Sequence, residues 1–518
     1  MGRTTVGTIV TDGAHAALEI DGPRRTLILL SLTAATMMQT LDNTIANVAL
    51  PRMQGSFSAT QDQMAWVLTS YIIAAAIMIP LSGWLAGRIG RKQVFLFSVA
   101  GFTIASMLCG LAQSLPQIVL ARLLQGMSGA ALVPLSQAAL LDITPPARQP
   151  RAMSLWAMAT SLGPIMGPAL GGWLTENYNW RWVFFINVPI GILAFLGMAG
   201  SLPATTTHNS RFDFFGFTSL SVGLGALQLL LDRGQIKDWF GSTEIWIEAA
   251  IALCAFYLFV VHMLTTTGQR FINPALFKDR NFVAGSMVFF VVGLVMFATL
   301  ALLPTMLEDL MNYPVLTTGL VTAPRGIGSV IALLLIPRLM SNFDPRLIVG
   351  AGFALTAVAA WQMTGFDLQM GISSIVWSGL AQGVGVSFVF LPVASLAFAT
   401  LTPALRNEGT SVFSLMRNLG SSIGISIVVT LVTRNTQIAH ASLGSHVSYY
   451  NPAMHTITGA LPTLRTLTEL NETVTQQAAM IAYNDDFQMM LMLSLAAIPL
   501  VLLFRKGVRK IAEPVAVD

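Results

Sequence analysis

The chain has 518 residues, of which 54% are hydrophobic and only 10% charged, with a mean hydropathy of +0.68. That balance excludes a string of soluble domains and specifies an all-α polytopic membrane protein. The formal charge of +4 and pI near 9.2 do not signal nucleic-acid affinity, because the basic residues are scattered in short loops between apolar runs.

The first 25 residues are polar and carry Asp12, Glu19 and Asp21, unlike a cleaved signal peptide with its basic start; they read as a cytoplasmic tail. Apolar runs of spanning length then recur at 27–50, 64–86, 93–113, 116–140, 152–174, 182–200, 214–231, 244–264, 282–304, 315–337, 346–363, 372–399, 408–433 and 486–504, fourteen in all. With the N-terminus inside, the outer loops hold six basic residues: Arg52, Arg181, Arg233, Lys237, Arg434 and Arg465. Three more, Arg122, Arg325 and Arg417, fall within spans, and the other 19 of the 28 Lys and Arg are cytoplasmic. This obeys the positive-inside rule with both termini, including the tail 505–518, cytoplasmic. Cys109 and Cys254 both lie in apolar runs, which leaves neither a disulfide framework nor a metal site.

The first span contains Asp42, with Gln39, Asn43, Thr44 and Asn47 nearby. A carboxylate there costs roughly 2.5–3.5 kcal/mol on insertion scales, so it should face protein or a water-filled cavity and have a partner. Counted at about 1.5 Å per residue from their outer helix ends, Asp42 and Arg122 both lie about 9–10 Å deep, which makes Arg122 the expected partner. Burial disfavours the carboxylate and a nearby guanidinium favours it, so a motion that changes their separation moves a proton on and off. A fixed packing pair is the plainer alternative. Gln39, Asn43, Gln125 and Arg325 are candidates for lining a substrate cavity, and Glu308, Asp309 and Glu408 are the next acidic groups to consider.

An internal repeat underlies the span count. Gln125-Gly126 and Thr144-Pro145 are echoed by Gln382-Gly383 and Thr402-Pro403, and Gly163 and Gly167 by Gly420 and Gly424, at an offset of 257–258. Eight spans separate the copies, so both enter the membrane in the same direction. The economical account is six plus two plus six: one bundle over 26–200, two linker helices over 201–281, and a second bundle over 282–504. The long polar loop 435–484 falls between the last two spans, outside, with helix-like apolar spacing in parts.

Several stretches carry a resemblance beyond this physics. Gly83-Trp-Leu-Ala-Gly-Arg-Ile-Gly-Arg-Lys92 resembles the signature loop of the major facilitator superfamily, and Arg122-Leu-Leu-Gln-Gly-Met-Ser-Gly-Ala130 its fourth-helix motif. Gly163-Pro-Ile-Met-Gly-Pro-Ala-Leu-Gly-Gly172 is similar to the fifth-helix motif of drug antiporters. With Leu41 to Pro51 and Trp180 to Gly191, the whole chain resembles the fourteen-helix drug:proton antiporters, most closely their EmrB type.

The resemblance implies a major facilitator fold and proton-coupled multidrug efflux by alternating access. It also implies gating roles for Gly83, Arg88, Gly90, Arg91 and Lys92, and a seal between halves from Gly163, Pro164, Gly167, Pro168, Gly171 and Gly172. Arg417 is a further cation on a small-residue helix. The family pattern has an acidic residue where this chain has Gly87, which removes one expected salt-bridge partner. Implied partners are lipophilic drugs, protons and membrane lipid, with a periplasmic adaptor and outer-membrane channel as a further possibility, in a bacterial inner membrane. An exporter of one natural product, such as a siderophore, fatty acid or antibiotic, is the alternative; a non-transporting receptor or enzyme on the same fold is the more distant one. No cofactor is expected: Walker, HExxH and GxSxG runs do not occur, so neither ATP nor a soluble catalytic site is indicated.

Overall fold

A computed structural model describes residues 22–145, 148–203, 207, 211–268, 270–447 and 464–505. The expected tails lie almost wholly outside these residues. The described chain forms fourteen long helices that coincide with the fourteen apolar runs. They are α1 (Gly22–Phe57), α2 (Gln61–Ile89), α3 (Arg91–Leu111), α4 (Leu115–Ile143), α5 (Gln149–Asn177), α6 (Trp182–Ser201) and α7 (Phe214–Arg233). After these come α8 (Thr243–Thr265), α9 (Arg280–Leu310), α10 (Val315–Asn342), α11 (Pro345–Met363), α12 (Ile372–Ala399), α13 (Arg406–His446) and α14 (Leu464–Leu503).

Among the described residues, twelve of these helices are apolar and long enough to cross a membrane by composition alone. The two that fall short, α1 and α5, have the length but carry the polar residues around Asp42 and the glycine series of the expected seal. The protein is therefore a multi-pass membrane protein.

Local chemistry starts and stops the helices. Thr60 and Gln63 form a reciprocal capping box on α2, Asp213 caps α7 through the Gly216 amide, and Asp279 caps α9 through the amides of Asn281 and Phe282. Gly90, at φ 95° and ψ 138°, turns α2 into α3 in a backbone conformation that L side chains rarely adopt. Pro164 and Pro168 remove donors inside α5, and Pro304 precedes a one-turn π segment, Met306–Leu310, that ends α9.

The repeat is visible in the packing. Gly163, Gly167 and Gly171 of α5 lie against Thr40, Thr44 and Ile45 of α1, while Gly420 and Gly424 of α13 lie against Phe290 and Leu294 of α9. Gly126 of α4 meets the Tyr71 carbonyl of α2, and Gly383 of α12 meets the Arg325 carbonyl of α10. Small residues at these contacts let backbones approach closely enough for dispersion to hold helices together in lipid. Helix pair α7 and α8 has no such counterpart. Helix α7 packs on α2 and α13, tied by Ser426 Oγ donating to the Leu231 carbonyl at 2.9 Å. The Trp239 indole, in the link to α8, donates to Thr430 Oγ1 at 3.1 Å. Helix α8 rests chiefly on α7 and exposes Trp246, Leu253, Tyr257 and Leu264, a lipid-facing surface.

The stretch 435–484 is mostly helix. Its described parts continue α13 to His446 and begin α14 at Leu464, and the two run side by side, with the His440 ring 3.2 Å from Asn471 Oδ1. Residues 448–463 lie outside the described residues. At 41 residues α13 is about 60 Å long, roughly twice the hydrocarbon thickness, so the hairpin projects beyond the bundle.

Candidate functional site

Five helices of the first bundle converge on Asp42. The residue is fully buried, and its carboxylate accepts three hydrogen bonds: Arg122 Nη1 to Oδ2 at 2.6 Å, and Gln125 Nε2 and Asn187 Nδ2 to Oδ1, each at 2.8 Å. Arg122 and Gln125 are one helical turn apart on α4 and Asn187 is on α6. All three donors are obligate, so the arrangement suits the ionised carboxylate.

Arg122, 1% exposed, is held from every side. Its Nε donates to the Val67 carbonyl at 3.2 Å, its Nη1 also reaches Gln125 Oε1 at 2.8 Å, and its guanidinium lies 4.2 Å from the Tyr71 ring centroid. Asn187 Nδ2 donates to Ser106 Oγ at 3.0 Å, and Gln39 Nε2 to Tyr71 Oη at 3.4 Å. A charge pair taken out of water survives only when its remaining lone pairs and protons are also satisfied, and this shell supplies that.

The pairing expected from sequence is therefore in contact here. The polar neighbours of Asp42 divide differently from the sequence grouping. Gln39 turns to Tyr71, Thr44 packs under Gly167, and Asn43 and Asn47 are exposed on another face of α1. Gln125 belongs to the ion cluster and is fully buried. Arg325, also buried, donates to the Met296 carbonyl at 3.1 Å, and Arg417 among the described residues reaches only Asn418 Oδ1, at 3.4 Å. Asn187, Ser106 and Tyr71 received no role from sequence, although each is a polar residue within an apolar run. His262 of α8 lies 3.0 Å from Asp213.

A second polar constellation joins the two bundles at the end bearing the signature loop. Asp142, at the end of α4, accepts from Arg91 Nη2 and from Arg406 Nη1, both at 2.6 Å, and Arg91 Nε donates to Asn407 Oδ1 at 3.0 Å. Ser82 and Ser411 approach to 3.1 Å, and Gly83 seats α2 against Asn407 and Glu408 of α13. Gly87 faces open space, Lys92 is half-buried, and Arg88 lies over the Trp84 ring at 5.5 Å. The acid of this latch thus comes from α4, not from the signature loop itself. Inside it a cavity of about 90 Å³ remains between the bundles, lined by Met153, Met340, Leu391 and Phe398 among others. At the opposite end, Gly172 and Ala169 of α5 pack on Val315 and Gly319 of α10. Pro164 and Pro168 lie one residue after the α5 glycines 163 and 167 that pack on α1.

Comparison with known proteins places the fold in a family. Residues 32–425 match the family described as the Major Facilitator Superfamily. The chain is 38% identical over 483 residues to the fatty acid resistance protein FarB of Neisseria gonorrhoeae, covering 92% of this chain and 95% of that one. It is 36% identical over 478 residues to the multidrug export protein EmrB of Escherichia coli K12, covering 91% and 93%. Among solved structures, it shares its fold with a bacterial homologue of the lysosomal transporter Spinster (TM-score 0.53, 16% identity, covering 93% and 97%). The human organic anion transporter MFSD10 is similar at TM-score 0.55 and 14% identity, covering 92% and 100%.

Proposed function

Because the chain belongs to the major facilitator superfamily, we propose that it exports lipophilic and amphipathic compounds in exchange for protons, by rocking of its two six-helix bundles in a bacterial inner membrane. The observation that carries the proton half of this reading is the buried Asp42–Arg122 pair. In the conformation described, Asp42 accepts from three obligate donors and is paired with Arg122. A rocking motion that draws α4 from α1, or admits water, weakens the Arg122 contact and lets the carboxylate take a proton; re-forming the pair expels it. Each proton crossing a 100 mV potential supplies about 2.3 kcal/mol, which is available to drive export.

The distribution of basic residues supports an orientation with both termini and the latch in the cytoplasm. The Arg91–Asp142–Arg406 bridge then closes the cytoplasmic side, with Gly90 as the stiff turn that positions it. The test uses purified chain in proteoliposomes. Asp42→Asn loses substrate-induced proton release and uphill efflux, and Asp42→Glu keeps part of both. Full active efflux by Asp42→Asn overturns the assignment and moves it to Glu308, Asp309 or Glu408.

A second reading narrows the substrate to amphiphilic acids, favoured by the likeness to a fatty acid resistance protein. Competition between a lipophilic cationic dye and a long-chain fatty acid in the same vesicles separates the two readings. The projecting α13–α14 hairpin further supports docking of a periplasmic adaptor that leads to an outer-membrane channel. Deleting residues 440–480 then spares dye–proton exchange in vesicles but abolishes resistance in a two-membraned cell, whereas loss of both gives the hairpin a folding role.

A further inference from the structure

We propose that Asp486 is a second proton-binding carboxyl, carried by the C-terminal bundle and loaded from the face that bears residues 435–484. The proposal rests on the proton-exchange reading above for its role, and on geometry of its own for the site. Asp486 is 1% exposed, and among the described residues neither carboxyl oxygen has a hydrogen-bond partner. Among the described residues, no Lys, Arg or His lies within ion-pair distance of it. An ionised carboxylate buried without donor or cation costs far more than a neutral acid, so in this conformation the group holds a proton.

Its surroundings suit exchange at one face. Asp486 stands 17 residues before Leu503, whose carbonyl accepts from Arg280 at the signature-loop end. It is therefore about 25 Å from that end and near the far edge of a roughly 30 Å core. The titratable groups around it are Asp485, exposed on the next position of α14, Tyr483 on the same helix, and Asp309 at the end of α9, which faces Tyr483. The neighbouring α11 and α13 add apolar side chains to the shared core: Met363, Val428 and Val432, with Phe366 just beyond α11. Exposed acids beside a buried one give protons a short route in from water.

The site also has a place in the repeat. Gln382 donates to Thr299 Oγ1 at 2.9 Å across the same 83-residue separation as Gln125 to Asp42. The single Thr299 hydroxyl proton has two acceptors, the Val295 carbonyl at 2.9 Å and Met490 Sδ at 3.1 Å, so Met490 of α14 touches the repeat position as Asn187 of α6 touches Asp42 in the first bundle. Asp486 is one turn from Met490 on the buried face of α14 that continues to Ser494. The C-terminal bundle thus has Thr299 of α9 at the repeat position of Asp42 and carries its buried carboxyl on α14, one helical turn from Met490.

The experiment is infrared difference spectroscopy on the full chain in proteoliposomes during a pH jump on the hairpin side, without substrate. A protonated-carboxyl C=O band is expected in wild type that bleaches as that pH rises, persists in Asp42→Asn, shifts in Asp486→Glu and is missing in Asp486→Asn. With tetraphenylphosphonium as the exported cation, Asp486→Asn is expected to release half as many protons per cation as wild type. A band unaffected by the substitutions at 486, a band blind to the pH on that side, or an unchanged proton count overturns the proposal. Wild type that shows the band but no cation-induced proton release fails the exchange reading and leaves the protonation site standing, so the two failures are distinguishable.

Discussion

The Asp42–Arg122 pair makes a quantitative prediction about stability that is independent of transport. In Asp42→Asn the amide cannot replace both acceptor oxygens: its NH2 must face a donor in either orientation, Arg122 Nη1 on one side or the Gln125 and Asn187 amides on the other. Arg122 keeps the Val67 carbonyl, Gln125 Oε1 and the Tyr71 ring, so it is not stripped bare. Breaking a buried pair from one side costs about 3–5 kcal/mol, and the retained contacts place this variant near the lower value, about 3 kcal/mol. Arg122→Gln should cost less at low pH and more as pH rises, because a lone buried carboxyl can take up a proton whereas a guanidinium cannot shed one. The double variant Asp42→Asn/Arg122→Gln removes both charges and should be no worse than the milder single. A coupling of about 3 kcal/mol is expected, more than a hundred-fold in the unfolding constant. Denaturant titration in detergent of the four proteins measures it. Additivity within about 0.5 kcal/mol would refute the claim that the two groups form an energetic unit.

Three further outcomes are expected. Asp142→Asn weakens both bridges of the latch, worth about 1–2 kcal/mol to the closed state, so alkylation of a Ser395→Cys reporter on the cavity wall, in a Cys254→Ser background, should speed up roughly ten-fold; an unchanged rate removes Asp142 from the latch. Gly420→Ala drives a methyl into the Phe290 backbone carbonyl and should destabilise by about 1–3 kcal/mol, while Gly87→Ala, which meets nothing within 4 Å, should stay within about 0.5 kcal/mol of the parent in the same thermal unfolding assay. Thr299→Val orphans the Gln382 amide and should cost about 1–3 kcal/mol while leaving substrate-induced proton release intact; Gln125→Leu should instead perturb that release.

The charged part of the site was legible in the sequence because an acid and a base within apolar runs are expensive, and only a few such residues exist. Their common depth followed from helix rise alone. The neutral members of the shell were not legible. Asn187, Ser106 and Tyr71 are affordable in a membrane helix in many environments, and no periodicity states which way a polar residue points when the whole helix is apolar. The grouping of Asn43 and Asn47 with Asp42 failed for the same reason: neighbours in sequence are about 100° apart around a helix, and α1 turns them to a different face. Asp142 and Arg406 lie at helix ends, where charge is ordinary, so only the fold shows that they bridge two bundles. The hairpin was read as a polar loop because its composition is polar; helix continuation there follows from covalent extension of two already formed helices, which spares the nucleation cost.

The two bundles are alike in frame and unlike in charge. Glycines at matching positions set α5 on α1 and α13 on α9, and α4 on α2 and α12 on α10, so one packing solution serves both. Within that frame the first bundle places Asp42 and Arg122 where the second has Thr299 and, by the repeat, Gly379, beside which Arg325 enters from α10 instead of α12. A neutral Thr299–Gln382 contact keeps the helices in register without any reason to open. The charged contact has such a reason, because its energy depends on hydration and on protonation. Rocking needs both bundles to be rigid, whereas coupling needs one element whose stability a proton can change. Confining the hydrogen-bonded ion cluster to one bundle meets both demands: the frame is shared, and the ion-pair switch proposed here is local to the helices that meet at Asp42, separate from the unpaired carboxyl proposed for α14.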